Sequence, residues 1–485
     1  MRGRRAGSRI IICNRTEQES QQGGLEMIKT RDVKTIADAK RIVEERNLTH
    51  VKVGLFDNDG VMRGKYMSKE KFFSSLENGF AFCDVVLGWD SQDQLYENVG
   101  VKYTGWHTGY PDASVKILPD SCRDIPFEPG MLLFLCDFDG PAARICPRNV
   151  LSRVLRRAED MGLDVYAAFE YEFFMFNETP HSARAKGYRN LEPITPGFFG
   201  YSMLRNSVHA ELYHELLDLC EKMDFPLEGL HTETGPGVLE AALTVDSACA
   251  AADKAALFKT FTKVWAQRKN MMATFMAKWS NDYPGQSGHI HMSLRHKESG
   301  KSAFYEAGQP MNMSKMQRHF IAGQQKLMPE MLAMMAQTVN AYSRLVPGFW
   351  APTDATWGCE NRTTALRVIP GSDKSQRVEY RLGSADANPY IALAASLGSG
   401  LYGIEHELEP EAMVSGNAYD QEHPRQLALP STLVDAAAAL RRSEAARELF
   451  GNEFVEHYAA TRDWEGREFR RHITDWELER YFEII

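Results

Sequence analysis

Residues 167–174 read Ala-Ala-Phe-Glu-Tyr-Glu-Phe-Phe, which places two carboxylates two positions apart in an otherwise apolar and aromatic stretch. In a β-strand, side chains at i and i+2 point to the same face of the sheet. Glu170 and Glu172 are therefore predicted to share one face, while the aromatic residues cover the other. Because unpaired carboxylates on an apolar strand are costly, something positive is expected to neutralise them.

Three further segments repeat this kind of pattern. Residues 231–240 read His-Thr-Glu-Thr-Gly-Pro-Gly-Val-Leu-Glu, in which a Gly-Pro-Gly turn can fold two glutamates toward one centre. Residues 285–294 contain a same-face His-x-His pair, and residues 376–381 read Gln-Arg-Val-Glu-Tyr-Arg. Taken singly, each has an ordinary explanation, since His-x-His is often hydrogen-bonded structure and Glu-x-Glu is common on solvated strands. Together they offer five carboxylates and at least one imidazole, which favours magnesium or manganese over zinc.

Arginines are concentrated between positions 344 and 381. The five in this interval are Arg344, Arg362, Arg367, Arg377 and Arg381. An isolated arginine is usually a surface charge, but the guanidinium fork also binds phosphate and carboxylate oxygens in pairs. The cluster therefore predicts an anion-binding surface. Enzymes that transfer a phosphoryl group from a nucleotide use two metal ions together with nearby arginines, so the combined pattern favours that reaction.

The composition excludes several classes of protein. The chain has 485 residues, 44% of them hydrophobic, which predicts two domains of unequal size. A formal net charge of -9, with no basic run interleaved with aromatic residues, argues against nucleic-acid binding. Eight cysteines without a C-x-x-C pair predict reduced thiols rather than disulfides or structural zinc. No apolar stretch approaches the roughly 18 residues of a membrane-spanning helix, so we expect a cytoplasmic protein without a membrane partner.

The N-terminal part predicts a tail followed by a small domain. Residues 1–26 lack periodicity and are interpreted as a disordered or non-native tail. Residues 57–60 read Asp-Asn-Asp-Gly, which favours a turn over a calcium loop because Val61 occupies the fifth loop position and the twelfth lacks glutamate. Residues 27–145 are assigned to the first domain. Its predicted elements are a helix over 32–47, a hairpin pairing 51–55 with 61–66, and a buried strand over 131–138.

The remainder, residues 146–485, is assigned to a larger domain. Strand-like segments that carry the paired polar residues alternate there with helical patterns, and this alternation favours an α+β class with an antiparallel or mixed sheet backed by helices. The predicted helices cover 207–223, 245–270, 314–338 and 432–448.

From Val51 to Pro410 the sequence resembles the glutamine synthetase superfamily. The motifs that carry the resemblance occur in family order: the Glu-x-Glu strand, two glutamates seven apart around Gly-Pro, Gly-His-x-His-x-Ser-Leu, Arg-Leu-Val-Pro-Gly, Glu-Asn-Arg-Thr, and Arg-x-Glu-x-Arg followed by Ala-Asn-Pro-Tyr. The resemblance implies an N-terminal β-grasp domain and a C-terminal glutamine-synthetase-type catalytic domain. It also implies a homo-oligomer of hexameric rings, commonly two stacked as a dodecamer, with active sites between one subunit's N-terminal domain and its neighbour's catalytic domain.

The resemblance also implies roles for individual residues. One metal would be held by Glu172, Glu233 and Glu240, and the second by Glu170, His289 and Glu379. Arg344 would receive the α-carboxylate of glutamate. The residues expected around the transferring phosphoryl group are Arg362, Arg367 and Arg381, and those expected near the nucleotide are His231, Arg377 and Arg367.

The implied reaction requires ATP with Mg²⁺ or Mn²⁺ as cofactors. The γ-carboxylate of glutamate attacks ATP to give γ-glutamyl phosphate, and an amine then displaces phosphate. Metals and arginines would serve by neutralising charge as it spreads over the phosphoryl oxygens.

Two positions depart from the ammonia-using members. Those members carry a glutamate in a Pro-Gly-Tyr-Glu-Ala-Pro flap, where this chain has Trp350. They also carry an aspartate in the N-terminal domain, where alignment on the following Gly-Trp leaves Phe82, with Asp84 nearby but not equivalent. Two aromatic replacements favour the apolar body of an organic amine over a small cation. An arylamine is especially compatible because it is largely neutral at pH 7 and needs no base.

The sequence therefore predicts a ligase that joins glutamate to an aryl- or alkylamine in amine catabolism, similar to γ-glutamylanilide or γ-glutamylalkylamide synthetases. Trp350 could instead be a packing residue, with Asp84, Asp354 or Glu360 acting as base. The alternatives are a γ-glutamylpolyamine synthetase, an ammonia-using glutamine synthetase, or a non-catalytic homologue. The last alternative predicts decayed metal ligands, whereas all six are present.

Overall fold

The computed structural model describes residues 27–97 and 100–485. The tail assigned to residues 1–26 lies outside the described residues. Within them the chain forms two sheets flanked by helices, and this arrangement confirms the predicted α+β class.

The first sheet is built from the N-terminal part of the chain. Its strands are β1 His50–Phe56, β2 Met62–Ser68, β3 Phe80–Cys83, β4 Asp112–Ile117, β5 Arg123–Asp124 and β6 Leu132–Phe138. They lie in the order β2-β1-β6-β4-β3, with β5 beside β6. The predicted hairpin is confirmed, since β1 and β2 pair antiparallel. The pairing of β1 with β6 is parallel, so this sheet is mixed.

The second sheet is larger and carries the paired polar residues. Its strands are β7 Leu163–Phe176, β8 Leu227–Thr232, β9 Val238–Leu243, β10 Asp246–Ser247, β11 Met272–Thr274, β12 Gly288–His296, β13 Trp357–Cys359, β14 Leu366–Ile369 and β15 Arg377–Tyr380. Their order is β13-β14-β15-β12-β7-β9-β8, and β10 and β11 also pair with β7. Every pairing is antiparallel except that of β13 with β14.

Helices pack against both sheets. The α-helices of the described residues are α1 Ile36–Glu45, α2 Lys69–Asn78, α3 Pro147–Asp160, α4 Pro180–Ala185, α5 Met203–Val208, α6 Ala210–Lys222, α7 Ala248–Arg268, α8 Lys315–Met335, α9 Pro389–Glu405, α10 Leu433–Arg442, α11 Glu444–Phe450, α12 Asn452–Phe469 and α13 Asp475–Tyr481. Short 3-10 helices cover Thr30–Asp32, Asp84–Leu87, Pro119–Ser121, Gly140–Arg144, Pro310–Asn312, Asn340–Ser343, Ala418–Asp420 and Arg425–Leu427.

Capping residues explain where two predicted helices differ from the observed ones. The helix expected from residue 32 begins at Ile36 because Thr35 and Asp38 form a reciprocal capping box. The single helix predicted over 432–448 was wrong. Ser443 is extended and its side chain accepts a hydrogen bond from the Ala446 backbone, so α10 ends and α11 begins there.

The centre of the second sheet is an aromatic layer on one face of β7. Phe169, Tyr171 and Phe173 are almost fully buried, and Phe169 stacks on Tyr171 with ring centroids 5.8 Å apart. Phe173 stacks on Phe275 at 5.2 Å. Helix α7 lies across this face of the strand. Burial of this layer fixes which way β7 faces, since a one-residue slip would expose the aromatics and bury the charges.

The turn between β1 and β2 joins the first sheet to the helices of the second. Arg462 on α12 is buried, and its guanidinium donates to Asp59 Oδ1 at 2.6 Å and to the Gln337 carbonyl at 2.7 Å. The Asn388 side chain donates to the carbonyls of Asp57 and Asn58. The boundary at residues 145 and 146 stays a prediction. Most buried residues of the first sheet form their own cluster, but Phe56, Leu133 and Leu135 belong to the larger cluster of the second sheet. In the described part of the chain, no helix combines the length and hydropathy needed to cross a bilayer.

Arg462→Met is expected to lower the free energy of unfolding by about 3–5 kcal/mol, because it leaves the Asp59 carboxylate buried without its partner. The measurement is the shift in thermal and urea unfolding midpoints. Arg471→Met is the matched control, since Arg471 pairs with Glu468 on the surface and its side chain is 69% exposed. Equal shifts for both variants would contradict the assignment of the Arg462 contact as a structural clamp.

Candidate active site

Cross-strand pairing brings the glutamates of β7 next to residues from two neighbouring strands. Glu170 lies opposite His289 of β12, and Glu172 lies opposite Glu240 of β9. Directly paired residues of an antiparallel ladder share a face and have neighbouring side chains. The face of β7 opposite the aromatic layer therefore carries acids and an imidazole from three strands.

The same principle extends the charged face across β15. His291 of β12 lies opposite Glu379, and Glu379 lies opposite Arg367 of β14. Arg381 also binds the Glu379 carboxylate. Glu379 is 1% exposed, so the guanidinium groups of Arg367 and Arg381 compensate a carboxylate that is almost completely removed from water.

The Gly-Pro-Gly turn folds as the sequence predicted. Strands β8 and β9 form an antiparallel pair with His231 opposite Glu240, and Glu233 donates its backbone N–H to the Val238 carbonyl. His231 Nε2 lies 3.8 Å from Glu233 Oε1 and 3.9 Å from Glu240 Oε1. One possible ligand atom from each of these three residues lies within 4.8 Å of the others.

A second group of possible ligand atoms within 4.8 Å comprises Glu170, His291 and Glu379. The family resemblance implies His289 as the histidine of this group. His289 is close as well, with Nδ1 at 3.4 Å from Glu379 Oε1 and 3.7 Å from Glu170 Oε2. Both histidines of the His-x-His therefore face the same carboxylates.

Apart from His291, these residues line one cavity of about 450 Å³. The cavity brings together twelve of the residues predicted for the site: Glu170, Glu172, Glu233, Glu240, His289, Glu379, His231, Arg344, Arg362, Arg367, Arg381 and Trp350. Three predicted residues do not line it: Arg377, Phe82 and Asp84.

Arg377 lies in an adjoining cavity of about 270 Å³, which shares Glu170 as a wall. Its Nε donates to His291 Nδ1 at 3.2 Å. Lys374, Ser293 and Tyr166 also line this second cavity. The two cavities thus meet at the Glu170 carboxylate.

Phe82 and Asp84 belong to the first sheet and its following 3-10 helix. Phe82 packs edge-on against Phe138 at 6.4 Å, with the Lys65 ammonium 4.9 Å from its ring centroid. Asp84 is buried and accepts a hydrogen bond from Thr104 at 2.7 Å. Their expected position at a neighbouring subunit's site stays a prediction.

The carboxylates have opposite electrostatic environments. Burial, together with the charges of Glu172, Glu170 and Glu233, raises the pKa of Glu240 to about 9. Burial would raise the pKa of Glu379 as well, but the basic groups around it, His289 first and then Arg381, lower that pKa to about 2. A site that holds several mutually repelling carboxylates is electrostatically incomplete without a cation.

The chemistry of the donors fits a divalent metal ion. Carboxylate oxygens with a minor share of imidazole nitrogen suit magnesium or manganese. Burial and the Arg381 charge lower the pKa of His289, which favours the neutral imidazole that a metal ligand requires. Within residues 27–97 and 100–485, the buried Nε2 atoms of His231 and His289 have no hydrogen-bond partner.

The arginines differ in how they are held. Arg344 is 3% exposed, and its guanidinium donates to the carbonyls of Leu382 at 2.9 Å and Arg381 at 3.1 Å. Burial lowers the pKa of Arg344 to about 10, which leaves it charged at neutral pH. Arg362 is exposed at the cavity surface. Arg344 is therefore held in place by backbone carbonyls, whereas the Arg362 side chain is exposed to the cavity.

Several lining residues were not predicted as site residues. Tyr201 stacks on His231 with ring centroids 4.4 Å apart, and Ser287 donates its backbone N–H to Glu172 at 2.6 Å. His291 could have been predicted from the sequence, because it lies two residues after His289 on the same face of the strand. Tyr201 could not have been predicted in this way, because it lies in a loop distant in sequence from His231, the residue that it contacts.

The fold and the site are together typical of an enzyme that uses divalent cations, because carboxylates, histidines and arginines line one cavity. Residues 144–481 match the family model described as "Glutamine synthetase, catalytic domain". The chain therefore belongs to the glutamine synthetase family, whose enzymes are ligases that form carbon–nitrogen bonds with ATP and divalent metals.

Relatives with different named substrates resemble the chain. A type-1 glutamine synthetase 2 of Dictyostelium discoideum is 45% identical over 90% of this chain and 84% of that protein. A glutamate–isopropylamine ligase of a Pseudomonas species is 36% identical over 93% and 99%. A solved structure described as "Apo GmaS without ligand" superposes with a TM-score of 0.79 at 24% identity, covering 92% of this chain and 99% of that one. This last match shows the shared fold.

Saturating Mg²⁺ is expected to raise the thermal unfolding midpoint, since about 100 times the Kd of a ligand stabilises the folded state by about 2.7 kcal/mol. Glu240→Gln is expected to lose most of this rise, because one carboxylate is removed from the cluster that would receive the cation. Differential scanning fluorimetry with and without Mg²⁺ measures both effects.

Glu298→Gln is the control, since Glu298 is exposed in a distant turn. It should retain the full Mg²⁺ response. An unaltered response in Glu240→Gln would show that the cluster is not the cation site.

Proposed function

We propose that the chain is an ATP-dependent ligase that joins the γ-carboxylate of glutamate to an organic amine, either an arylamine or an alkylamine, through γ-glutamyl phosphate. The observation that carries this proposal is the wall of the cavity formed by Phe349 and Trp350. Trp350 is 60% exposed and Phe349 is 40% exposed, so both rings are accessible to a ligand. An exposed aromatic surface beside a reactive centre favours a nucleophile with a hydrocarbon body.

The metal ligands and arginines support the first half of the reaction. We propose that Glu172, Glu233 and Glu240 hold one divalent cation, and that Glu170, His289 and Glu379 hold another. The structure adds His291 and His231 to these groups as neighbours. When bound, such cations would neutralise charge on the phosphate oxygens.

The nucleotide is assigned to the second cavity. Arg377, Lys374 and Ser293 line it, and its shared wall at Glu170 would direct the phosphates of ATP into the first cavity. Arg367, although largely committed to Glu379 and Glu360, would lie near the transferring group together with Arg362 and Arg381. Glutamate would enter from the other side, with its α-carboxylate on Arg344.

The proposed chemistry has two steps. An oxygen of the γ-carboxylate attacks the terminal phosphorus of ATP, and the bond to the bridging oxygen breaks to release ADP. The amine nitrogen then attacks the acyl carbon, the carbon–oxygen bond to phosphate breaks, and a proton leaves the nitrogen. A neutral arylamine needs no base before attack. The charged arginines stabilise negative charge as it develops on the phosphoryl oxygens.

The names of relatives support more than one amine. The Pseudomonas relative is named for isopropylamine, which agrees with the aromatic wall. A second candidate is ammonia, because the Dictyostelium relative at 45% identity is named as a glutamine synthetase. A γ-glutamylputrescine synthetase of Escherichia coli at 32% identity keeps the polyamine alternative open. We also propose a homo-oligomer, on the family pattern of a dodecamer, that acts in the cytoplasm in amine catabolism.

Product mass and phosphate release should be measured with glutamate, ATP and Mg²⁺ against ammonium, ethylamine, isopropylamine, putrescine and aniline. We expect aniline or isopropylamine to give the highest kcat/KM and ammonium the lowest. Preference for ammonium would contradict the proposal, and the absence of product with every amine would favour a non-catalytic homologue.

Trp350→Glu is expected to shift the kcat/KM ratio toward ammonium by about 10- to 100-fold, the effect of one charged hydrogen bond in the amine site. Trp350→Phe keeps an aromatic side chain and should preserve the order of the amines. If the two substitutions change the order equally, Trp350 is a packing residue rather than a specificity residue.

Arg344→Lys is expected to raise the KM for glutamate by about 10- to 100-fold with little change in the KM for ATP, because lysine cannot reproduce the fork that a carboxylate requires. Initial rates at varied glutamate and varied ATP measure the two constants separately. A selective rise in the KM for ATP would overturn the assignment of Arg344 to glutamate.

A further inference from the structure

Lys278 is a buried cation directly beneath the aromatic wall of the cavity. It is 7% exposed, and its Nζ lies 4.5 Å from the centroid of the Phe349 ring. Within residues 27–97 and 100–485, no carboxylate forms an ion pair with it. Its ammonium has one hydrogen-bond acceptor, the Tyr283 carbonyl at 2.6 Å. The Tyr283 carbonyl and the Phe349 ring therefore both face the charge, the ring in the geometry of a cation–π contact.

The backbone of Lys278 is held firmly in place. Its N–H donates to Asn340 Oδ1 at 2.8 Å, and Asn340 Nδ2 donates back to the Lys278 carbonyl at 2.7 Å. The residue therefore has a fixed backbone on both sides of its Cα, and its ammonium has a fixed acceptor. A cation anchored in this way can position a ring that contacts it.

The wall that Lys278 contacts has few attachments of its own. In the described residues, 347–352 make no backbone hydrogen bond. Gly348 and Trp350 have φ angles of 85° and 59°, and a left-handed conformation is unfavourable for a bulky residue such as tryptophan. The next residue, Ala351, is buried, so the segment packs against the rest of the protein again from that position. Trp350 itself forms no ring pair or hydrogen bond within this part of the chain.

We propose that Lys278 is a positioning residue for the amine step, which holds Phe349 by its ring and thereby keeps Trp350 at the amine end of the cavity. This inference rests on the proposed function, in which the wall contacts the amine. Without the ammonium, the wall would no longer be fixed over the acyl phosphate. Water would then attack the acyl carbon more often, and the carbon–oxygen bond to phosphate would break to return glutamate and phosphate without amide.

Substitutions at Lys278 and Phe349 are expected to affect the attack by the amine and not the formation of γ-glutamyl phosphate. Glutamate and ATP are assigned to Arg344 and to the second cavity, which Lys278 does not line. Lys278→Met and Phe349→Leu are each expected to raise the KM of the preferred amine by about 2- to 30-fold, the range that a cation–π contact supports. Each should also raise the ratio of phosphate released to amide formed.

The test is a double-mutant cycle of Lys278→Met, Phe349→Leu and the double variant. Because both single changes remove the same contact, the double variant should be no worse than either single variant. Lys278→Arg retains a cation over the ring and should largely restore coupling. Lys326→Met, at an exposed position on α8, is the control for loss of a lysine charge and should behave as wild type.

Additive effects in the cycle would overturn the proposal, as would a rise in the KM for glutamate that matches the rise for the amine. Thermal unfolding of each variant separates a folding defect from a positioning defect. If the wild type accepts ammonium alone, the proposed function fails, but the cycle measured with ammonium still tests whether Lys278 and Phe349 act together. The two failures are therefore distinguishable.

Discussion

The two-residue alternation along β7 is the constraint on which the rest of the site depends. Phe169, Tyr171 and Phe173 are buried beneath α7, and full burial of one such side chain contributes about 1.5–3 kcal/mol. This face locks the register of the strand. Glu170 and Glu172 must then point the other way, where antiparallel neighbours present His289 and Glu240. Burial of the aromatic layer thus offsets the repulsion between the carboxylates on the opposite face. A bound cation would reduce that repulsion.

Charge compensation is divided unequally over this face. Glu379 is surrounded by Arg367, Arg381 and the two histidines of β12, so it remains ionised even though it is buried. Glu240 faces other carboxylates and has no arginine partner among the described residues. Its raised pKa keeps it protonated near neutral pH unless a cation binds nearby. At the Glu379 end of the cavity the negative charge is therefore balanced by the protein's own side chains. At the Glu240 end it would be balanced only by a bound cation.

Most of the fold and the charged part of the site could be predicted from the sequence, because both depend on local periodicity. The pair at 170 and 172, the Gly-Pro-Gly hairpin and the His-x-His are short patterns with fixed geometric consequences. The division between α10 and α11 was missed because a single serine cap can end a helix whose apolar pattern continues. Tyr201 and Lys278 were missed for a different reason. Their partners, His231 and Phe349, are distant in sequence, and contacts of this kind are decided by how loops pack. The expected place of Phe82 beside a neighbouring subunit's site follows from the family resemblance and stays a prediction.

The most direct test of the central claim is oxygen transfer from glutamate to phosphate. The enzyme should be supplied with glutamate labelled with ¹⁸O in the γ-carboxylate, together with ATP, Mg²⁺ and aniline or isopropylamine, and both products analysed by mass spectrometry. The account predicts one labelled oxygen in the released phosphate for each γ-glutamyl amide formed, because the carboxylate oxygen that attacks phosphorus leaves with it. Amide formation with unlabelled phosphate, or labelled phosphate only when ammonium is supplied, would contradict a γ-glutamyl phosphate route to an organic amine.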